Sequence, residues 1–267
     1  MKYQHIITIL IGGALVSSAL SCASNKFDSS RKLIWNDEFN RKGLPDSTKW
    51  NYDHGGSGFG NEEAQFYTKK RLENARVEKG KLIIEARKED WEEKKYTSAR
   101  LLTKGKFSLQ YGTVEVRAKL PKGRGTWPAI WMLSEKMRKW PNDGEIDIME
   151  HVGYNQGHIH ASAHTKDYKQ KINTQKTDTV IVKDASEKFH VYKMNWTPEK
   201  IEVYVDNKKF FTCINEEKIY DAWAFDQPYF IILNLAIGGS WGGIKGIDDT
   251  IFPQKYYIDY VRVFKNK

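Results

Sequence analysis

The segment WPNDGEIDIMEHVG places three carboxylates, Glu145, Asp147 and Glu150, within six residues, among neighbours that are mostly apolar. In a regular strand Glu145 and Asp147 share one face, while Ile146 and Ile148 point into a core. Strict alternation sends Glu150 to the core face, where a lone carboxylate is costly to bury. A β-bulge near Ile148–Met149 would return Glu150 to the acidic face, and bulges commonly re-aim side chains beside active sites. Carboxylates so placed supply the parts for glycoside hydrolysis with retention: a nucleophile and a proton donor about 5 to 5.5 Å apart. Asp147, between them, can share a proton or hydrogen bond with the nucleophile, and crowded like charges raise at least one pKa. A solvated acidic strand, or half of a metal site, is the competing reading. His151, His158, His160 and His164 follow, yet no HExxH occurs and His158 and His160 share a face without an obvious third ligand. Polar contacts and cleft lining are therefore expected of the histidines rather than a catalytic metal.

The elements that must position this strand are themselves strands. KLIIEAR, GTVEVRAKL, HIHASAHT, HVYKMNW, KIEVYVDNKKFFT, YFIILNLAI and YYIDYVRVF combine β-branched and aromatic residues with local alternation. Val114, Val116, Ala118 and Leu120 fall on one face of GTVEVRAKL, with Thr113, Glu115, Arg117 and Lys119 on the other. In EVYVD, Val203 and Val205 oppose Glu202 and Tyr204. TPEK and VDNKK read as hairpin turns, and YDHGGSGFGNEE and GGSWGGIKGIDDTIFPQ as glycine-rich loops. EEKIYDAWAF carries a weak helical signal of one or two turns. Many short strands without βα alternation predict an all-β sandwich or barrel, which can curve to offer a concave face to a long polymer.

The net charge of +9 is dispersed, because lysines interleave with Glu and Asp. No long basic block exists, so nucleic acid is not an expected partner. Of nine Trp, fourteen Tyr and twelve Phe, most are expected to fill the core, but some recur beside glycine and polar residues in GTWPAIW and GGSWGG. Those rings are candidate platforms for sugars. Residues 1–22, with an apolar run from Ile6 to Leu20 closed by small residues and Cys22, read as an export segment. Lipidation at Cys22 and plain secretion are both open. The expected location is the cell surface or outer membrane in the first case, secreted or periplasmic in the second. Membrane attachment is expected only through a lipidated Cys22. Residues 23–30 read as a polar tether and 31–267 as one catalytic domain, expected to be a monomer. With Cys22 lipidated or removed, Cys213 has no disulfide partner, so a core must hold the domain together.

GEIDIME closely resembles the signature of glycoside hydrolase family 16. The resemblance runs from LIWNDEFN to YIDYVRVF through NEEAQFYT, NARVEKGKLIIEAR, YTSARLLTKGKFSLQYGTVEVRAKLP, GRGTWPAIWML and FIILNLAIGGSWGG. Within the family the chain looks most like the bacterial laminarinase branch, the endo-1,3-β-glucanases. That resemblance implies a β-jelly-roll of two curved antiparallel sheets with a concave substrate cleft. It also implies retaining, endo-acting cleavage of 1,3-β-glucan without a catalytic cofactor, with β-glucan and its oligosaccharides as partners.

Residue by residue, Glu145 resembles the nucleophile, Glu150 the general acid/base and Asp147 the assisting residue. Trp127, Trp131 and Trp140 resemble cleft residues, Trp131 being equally a structural one. Asn61 and Arg100 resemble contacts to glucose hydroxyls; an Asx-turn and a brace for the carboxylates are their competing readings. His164 is similar in position to a histidine near the acid/base, and Asn234 and Trp241 to residues of the opposite cleft wall. Many family members hold a structural calcium, and the matching positions are Glu38, the Gly80 backbone and Asp259. A lichenase-like mixed-linkage glucanase and a non-catalytic glucan-binding domain are the alternatives; galactan-cutting relatives fit the quoted segments less well.

Overall fold

The computed structural model describes residues 31–167, 176–216 and 219–266. The expected export segment, the tether and Cys22 lie outside the described residues. Along the chain run β1 (Arg31–Asp37), β2 (Asn51–Tyr52), β3 (Gln65–Tyr67), β4 (Ala75–Glu78), β5 (Lys81–Trp91), β6 (Lys94–Ser98), β7 (Arg100–Leu102) and β8 (Gly112–Lys119). They continue with β9 (Thr126–Ser134), β10 (Glu145–Glu150), β11 (His158–His164), β12 (Lys176–Ile181), β13 (His190–Trp196), β14 (Lys200–Val205), β15 (Lys208–Ile214), β16 (Tyr229–Ile237) and β17 (Gln254–Asn266).

Two sheets form a jelly-roll sandwich. One has the order β15-β14-β13-β8-β17-β5-β6-β3, with β1 added to β17 and β4 to β5; the other runs β12-β11-β10-β9-β16-β7-β2. The described ladders are antiparallel except for the short β3–β6 pair. Alternation explains the core between them: Val114, Val116 and Ala118 of β8 and Tyr192 and Met194 of β13 are fully buried. So are Ile146 and Ile148 of β10, Ile130 and Met132 of β9, and Ile231, Leu233 and Leu235 of β16. The opposite face of the second sheet has its own apolar floor, where Leu102, Phe230 and Ile232 pack with Trp131 and Leu133.

Of the one or two helical turns expected in EEKIYDAWAF, its described part holds a single turn and no assigned helix. Tyr220–Ala222 make a turn, closed by an i→i−4 bond from the Trp223 N–H to the Ile219 carbonyl at 2.7 Å. Tertiary burial of Trp223, Ala224 and Phe225 decides their conformation instead of local propensity. Among the described residues the one helical element is the 3-10 turn Asp249–Ile251. Pro128 is unexpected in β9, which lies between β10 and β16. The carbonyl of Pro128 accepts from the His151 N–H at 3.3 Å, just beyond the end of β10. The amide hydrogen that proline lacks would point to that same side, where the regular ladder has already stopped.

The chain enters β10 through a tightly held loop. The Asp143 carboxylate accepts from the Arg138 N–H at 2.8 Å, the Arg138 guanidinium at 2.9 Å and the Tyr220 hydroxyl at 2.8 Å. Arg138 first, then the other donors, hold its carboxyl well below the usual range. Gly144 follows with φ +83, and a Cβ there would lie 1.9 Å from the Tyr229 hydroxyl, which donates to the Asp143 carbonyl at 2.8 Å. Gly144→Ala is thus expected to cost about 1–3 kcal/mol, the usual range for overpacking a buried site. Chemical denaturation checks this, and an unchanged midpoint would contradict the close approach.

Candidate active site

The bulge expected from the sequence is present in β10. Asp147 pairs with Ser162 and Trp131, whereas Glu150 pairs with His160 and Ala129, so β10 takes three steps where each neighbour takes two. Ile148 and Met149 are both buried inside the bulge. Because Trp131 and Ala129 lie on one face of β9, their partners Asp147 and Glu150 also share a face. Glu145, opposite His164 and Leu133, joins them. The three carboxylates therefore stand together on the sheet face turned away from the sandwich core.

Two indoles hold the ends of this row. Trp140 Nε1 donates to Glu145 Oε2 at 2.9 Å, and Trp127 Nε1 donates to Glu150 Oε1 at 3.0 Å. Burial raises all three carboxyls, Glu145, Asp147 and Glu150, each pushed up to about 8. The Asp147 charge adds to burial at both glutamates. Groups this close titrate together, so at neutral pH the row retains protons that isolated carboxyls would lose.

His164 is found at the Glu145 end, a correction to its expected place near the acid/base. Its Nε2 is 3.1 Å from Asp147 Oδ2 and 3.9 Å from Glu145 Oε1. The register of β11 explains the difference, since His164 lies opposite Glu145 and His160 opposite Glu150. His160 stands edge-on to Trp241 at 5.0 Å, and its Nδ1 is 3.0 Å from Thr179 Oγ1. Trp241 in turn meets Trp127 edge-on at 5.5 Å. His151 is buried, with its Nε2 accepting from the Gly157 N–H at 3.1 Å, so it serves the turn into β11.

The other side of the cleft is a hydrogen-bonded wall. Trp131 Nε1 donates to Asn234 Oδ1 at 2.7 Å, and Asn234 Nδ2 donates to the Tyr67 hydroxyl at 3.1 Å. The Tyr67 hydroxyl donates to Glu63 Oε2 at 2.9 Å, which also accepts from Gln65 Nε2 at 2.6 Å. Burial raises the Glu63 carboxyl above its ordinary value. Arg100 does not brace the acidic row. Its Nε lies 2.8 Å from Asp53 Oδ2, and its guanidinium sits 4.6 Å from the Trp131 ring centre and 5.2 Å from that of Phe59. Asn61 is exposed; its carbonyl accepts from the Ser240 N–H at 2.7 Å, tying its loop to the glycine-rich segment that carries Trp241. Asp53, Phe59, Glu63 and Tyr67 were not singled out from sequence. Glu63, Gln65 and Tyr67 recur at a spacing of two in NEEAQFYT, a polar strand face that was a usable signal.

Residues 62–262 match the family described as Glycosyl hydrolases family 16. The chain belongs to this family. Over 273 aligned residues it is 48% identical to a β-glucanase of Rhodothermus marinus, covering 99% of this chain and 94% of the relative. It also matches the X-ray structure of the laminarinase from Rhodothermus marinus with a TM-score of 0.87 and 50% identity, over 88% of this chain and 97% of that one. The crystal structure of SCLam, a non-specific endo-β-1,3(4)-glucanase of the same family, matches with a TM-score of 0.86 and 45% identity, over 90% of this chain and 92% of that one.

In this family 16 chain the two carboxylates expected to bind calcium are engaged by basic side chains. Glu38 accepts from Arg262 Nε and Nη2, both at 2.8 Å, and Asp259 is paired with Arg117 and Lys81. Each carboxylate is thus neutralised by the chain's own cations, and Gly80 lies in the turn between β4 and β5.

The raised carboxyls link the active site to stability. A folded-state pKa near 8 for Asp147 lies far above its unfolded value of about 3.9. The folded state is favoured by this proton below about pH 4, and that contribution is lost as pH rises toward 8. Asp147→Asn removes the ionisation. Its Tm is expected to exceed that of the wild type at pH 8, by about 2–4 °C for each kcal/mol regained. The two Tm values should converge near pH 4, and equal values at both pH values would contradict this account.

Proposed function

We propose that this chain is a retaining endo-1,3-β-glucanase acting on laminarin-type β-glucans. The observation that carries the reading is the bulged β10, which sets Glu145, Asp147 and Glu150 on one sheet face between two indole donors. The similarity to a laminarinase over nearly the whole domain supports the substrate class.

In this reading the Glu150 proton passes to the glycosidic oxygen as the Glu145 carboxylate bonds to the anomeric carbon and the sugar–oxygen bond breaks. Glu150, now ionised, takes a proton from water. The water oxygen then displaces Glu145, and the product keeps its β configuration. Asp147 shares charge and proton with the nucleophile, and His164, 3.1 Å from Asp147 Oδ2, favours the ionised form of Glu145. Trp127, Trp131, Trp140 and Trp241 offer ring faces, while Asn61, Arg100 and Asn234 offer polar groups for sugar hydroxyls. A second reading, cleavage of mixed 1,3-1,4-linked glucan, is favoured by the similarity to the non-specific endo-β-1,3(4)-glucanase.

We also assign the chain to export, with Cys22 lipidated, on the export pattern of residues 1–22; no helix of the described residues is long and apolar enough to cross a membrane. Calcium at Glu38, Gly80 and Asp259 would serve stability, and it would have to displace Arg262 and Arg117.

Parallel digestion of laminarin, mixed-linkage β-glucan and agarose, followed by mass spectrometry, tests the function. Laminarin oligosaccharides are expected from the wild type, with turnover lowered about a thousandfold or more in Glu145→Gln. Wild-type rates in that variant would remove the nucleophile assignment, and no turnover on any polymer would favour a binding domain. Trp127 also touches the chemistry, because its N–H favours the ionised form of Glu150. Trp127→Phe keeps a ring but removes that donor, so Glu150 should hold its proton to higher pH. The alkaline limb of the kcat/KM profile is expected to move upward in pH; a downward move would reverse the assignment of the acid.

A further inference from the structure

The corner formed by Glu145, Asp147 and His164 brings together a donor set that can also hold a metal ion. One ligand atom from each, two carboxylate oxygens and an imidazole nitrogen, lie within 4.8 Å of one another, the one such trio among the described residues. Ligands at about 2.0–2.1 Å on a tetrahedral ion are roughly 3.3 Å apart. His164 Nε2 to Asp147 Oδ2 is 3.1 Å and His164 Nε2 to Glu145 Oε1 is 3.9 Å, both near that edge. Asp147 is 2% exposed and His164 7% exposed, so two of the donors are already out of bulk water. Asp147 Oδ2 makes no hydrogen bond although it is buried and directed at His164. A cation in that corner would give Asp147 Oδ2 a ligand bond where it now has only the His164 ring nitrogen, 3.1 Å away and without hydrogen-bond geometry.

We infer that Glu145, Asp147 and His164 form a zinc(II) site in which the ion occupies the catalytic corner in place of substrate. An imidazole with two carboxylates suits zinc better than calcium or magnesium, which favour oxygen ligands. The Glu145 side chain is 14% exposed, so the corner is open to the cleft on that side. Other histidines are committed elsewhere. His151 Nε2 accepts from Gly157, and His190 is bracketed by Asp184 and Asp206. A bound ion would hold the Glu145 carboxylate that must attack the sugar. Zinc is therefore a competitive inhibitor; this consequence rests on the glucanase reading, whereas binding itself does not.

Calorimetric titration of zinc chloride into the full chain, in a non-chelating buffer at neutral pH, tests the site. One ion per chain is expected at this corner, weakened more than about tenfold in His164→Gln and in Asp147→Asn and retained in His158→Gln. A second measurement needs only wild-type protein: saturating laminarin oligosaccharide should weaken zinc uptake, and zinc should raise KM for laminarin with kcat unchanged. Absence of zinc binding to the wild type, or equal affinity in His164→Gln, would overturn the site; in a protein that hydrolyses laminarin, zinc uptake indifferent to the oligosaccharide would overturn it as well. Zinc uptake lost in both variants, in a protein that hydrolyses no glucan, would uphold the site while refuting the glucanase reading.

Discussion

A strand that must be apolar on one side and carry three carboxylates on the other is the constraint on which this molecule turns. Ile146, Ile148 and Met149 are drawn into the sandwich core, while Glu145, Asp147 and Glu150 must stay together on the opposite face. Period-two geometry cannot satisfy both demands over six residues. The bulge can, by adding one residue against each neighbour. Its consequences spread outward. The neighbouring strands keep their own alternation, so β9 presents Trp127, Ala129 and Trp131 in step with the acids. β11 presents His160 and His164 at opposite ends of the same row. The sandwich core also anchors the apolar half of β10, so the carboxylates are held by packing on the side they do not face.

That arrangement leaves the site in electrostatic tension. Like charges in a partly dry cleft raise one another's proton affinity, and the nearby His164 and the two indole N–H groups only partly offset the effect. A fold built for stability alone would place at most one acid here. The tension supports general acid catalysis, since one member of the row can remain protonated at a pH where free carboxyls are ionised.

Much of this was legible in the sequence because alternation is a local property. The strands bearing GTVEVRAKL, HVYKMNW and YFIILNLAI, the hairpin turns and the bulge itself could all be derived from which residues are apolar and how they are spaced. Between-strand relations were not legible in the same way. His164 and His160 occupy equivalent-looking positions in HIHASAH, and only the register of β11 against β10 decides which end of the row each one meets. Arg100 could have braced the acids, but β7 lies two strands beyond β9, where Asp53 and Trp131 receive it. Glu63 was legible only through the period-two spacing of Glu63, Gln65 and Tyr67, because nothing in NEEAQFYT shows which strand that face meets. In the described part of EEKIYDAWAF the helical signal comes to a single turn, followed by the buried Trp223 and Phe225.

The two indoles that grip the ends of the acidic row have a property that a hydroxyl or an amine would not share. An indole N–H can donate a hydrogen bond but cannot accept one, and it does not ionise at physiological pH. Trp140 and Trp127 therefore steady Glu145 and Glu150 without opening a path along which a proton could leak. The row is insulated at both ends. A proton that leaves Glu150 has a restricted set of destinations: a neighbouring acid, His164, water in the cleft, or the oxygen of a sugar lying across it.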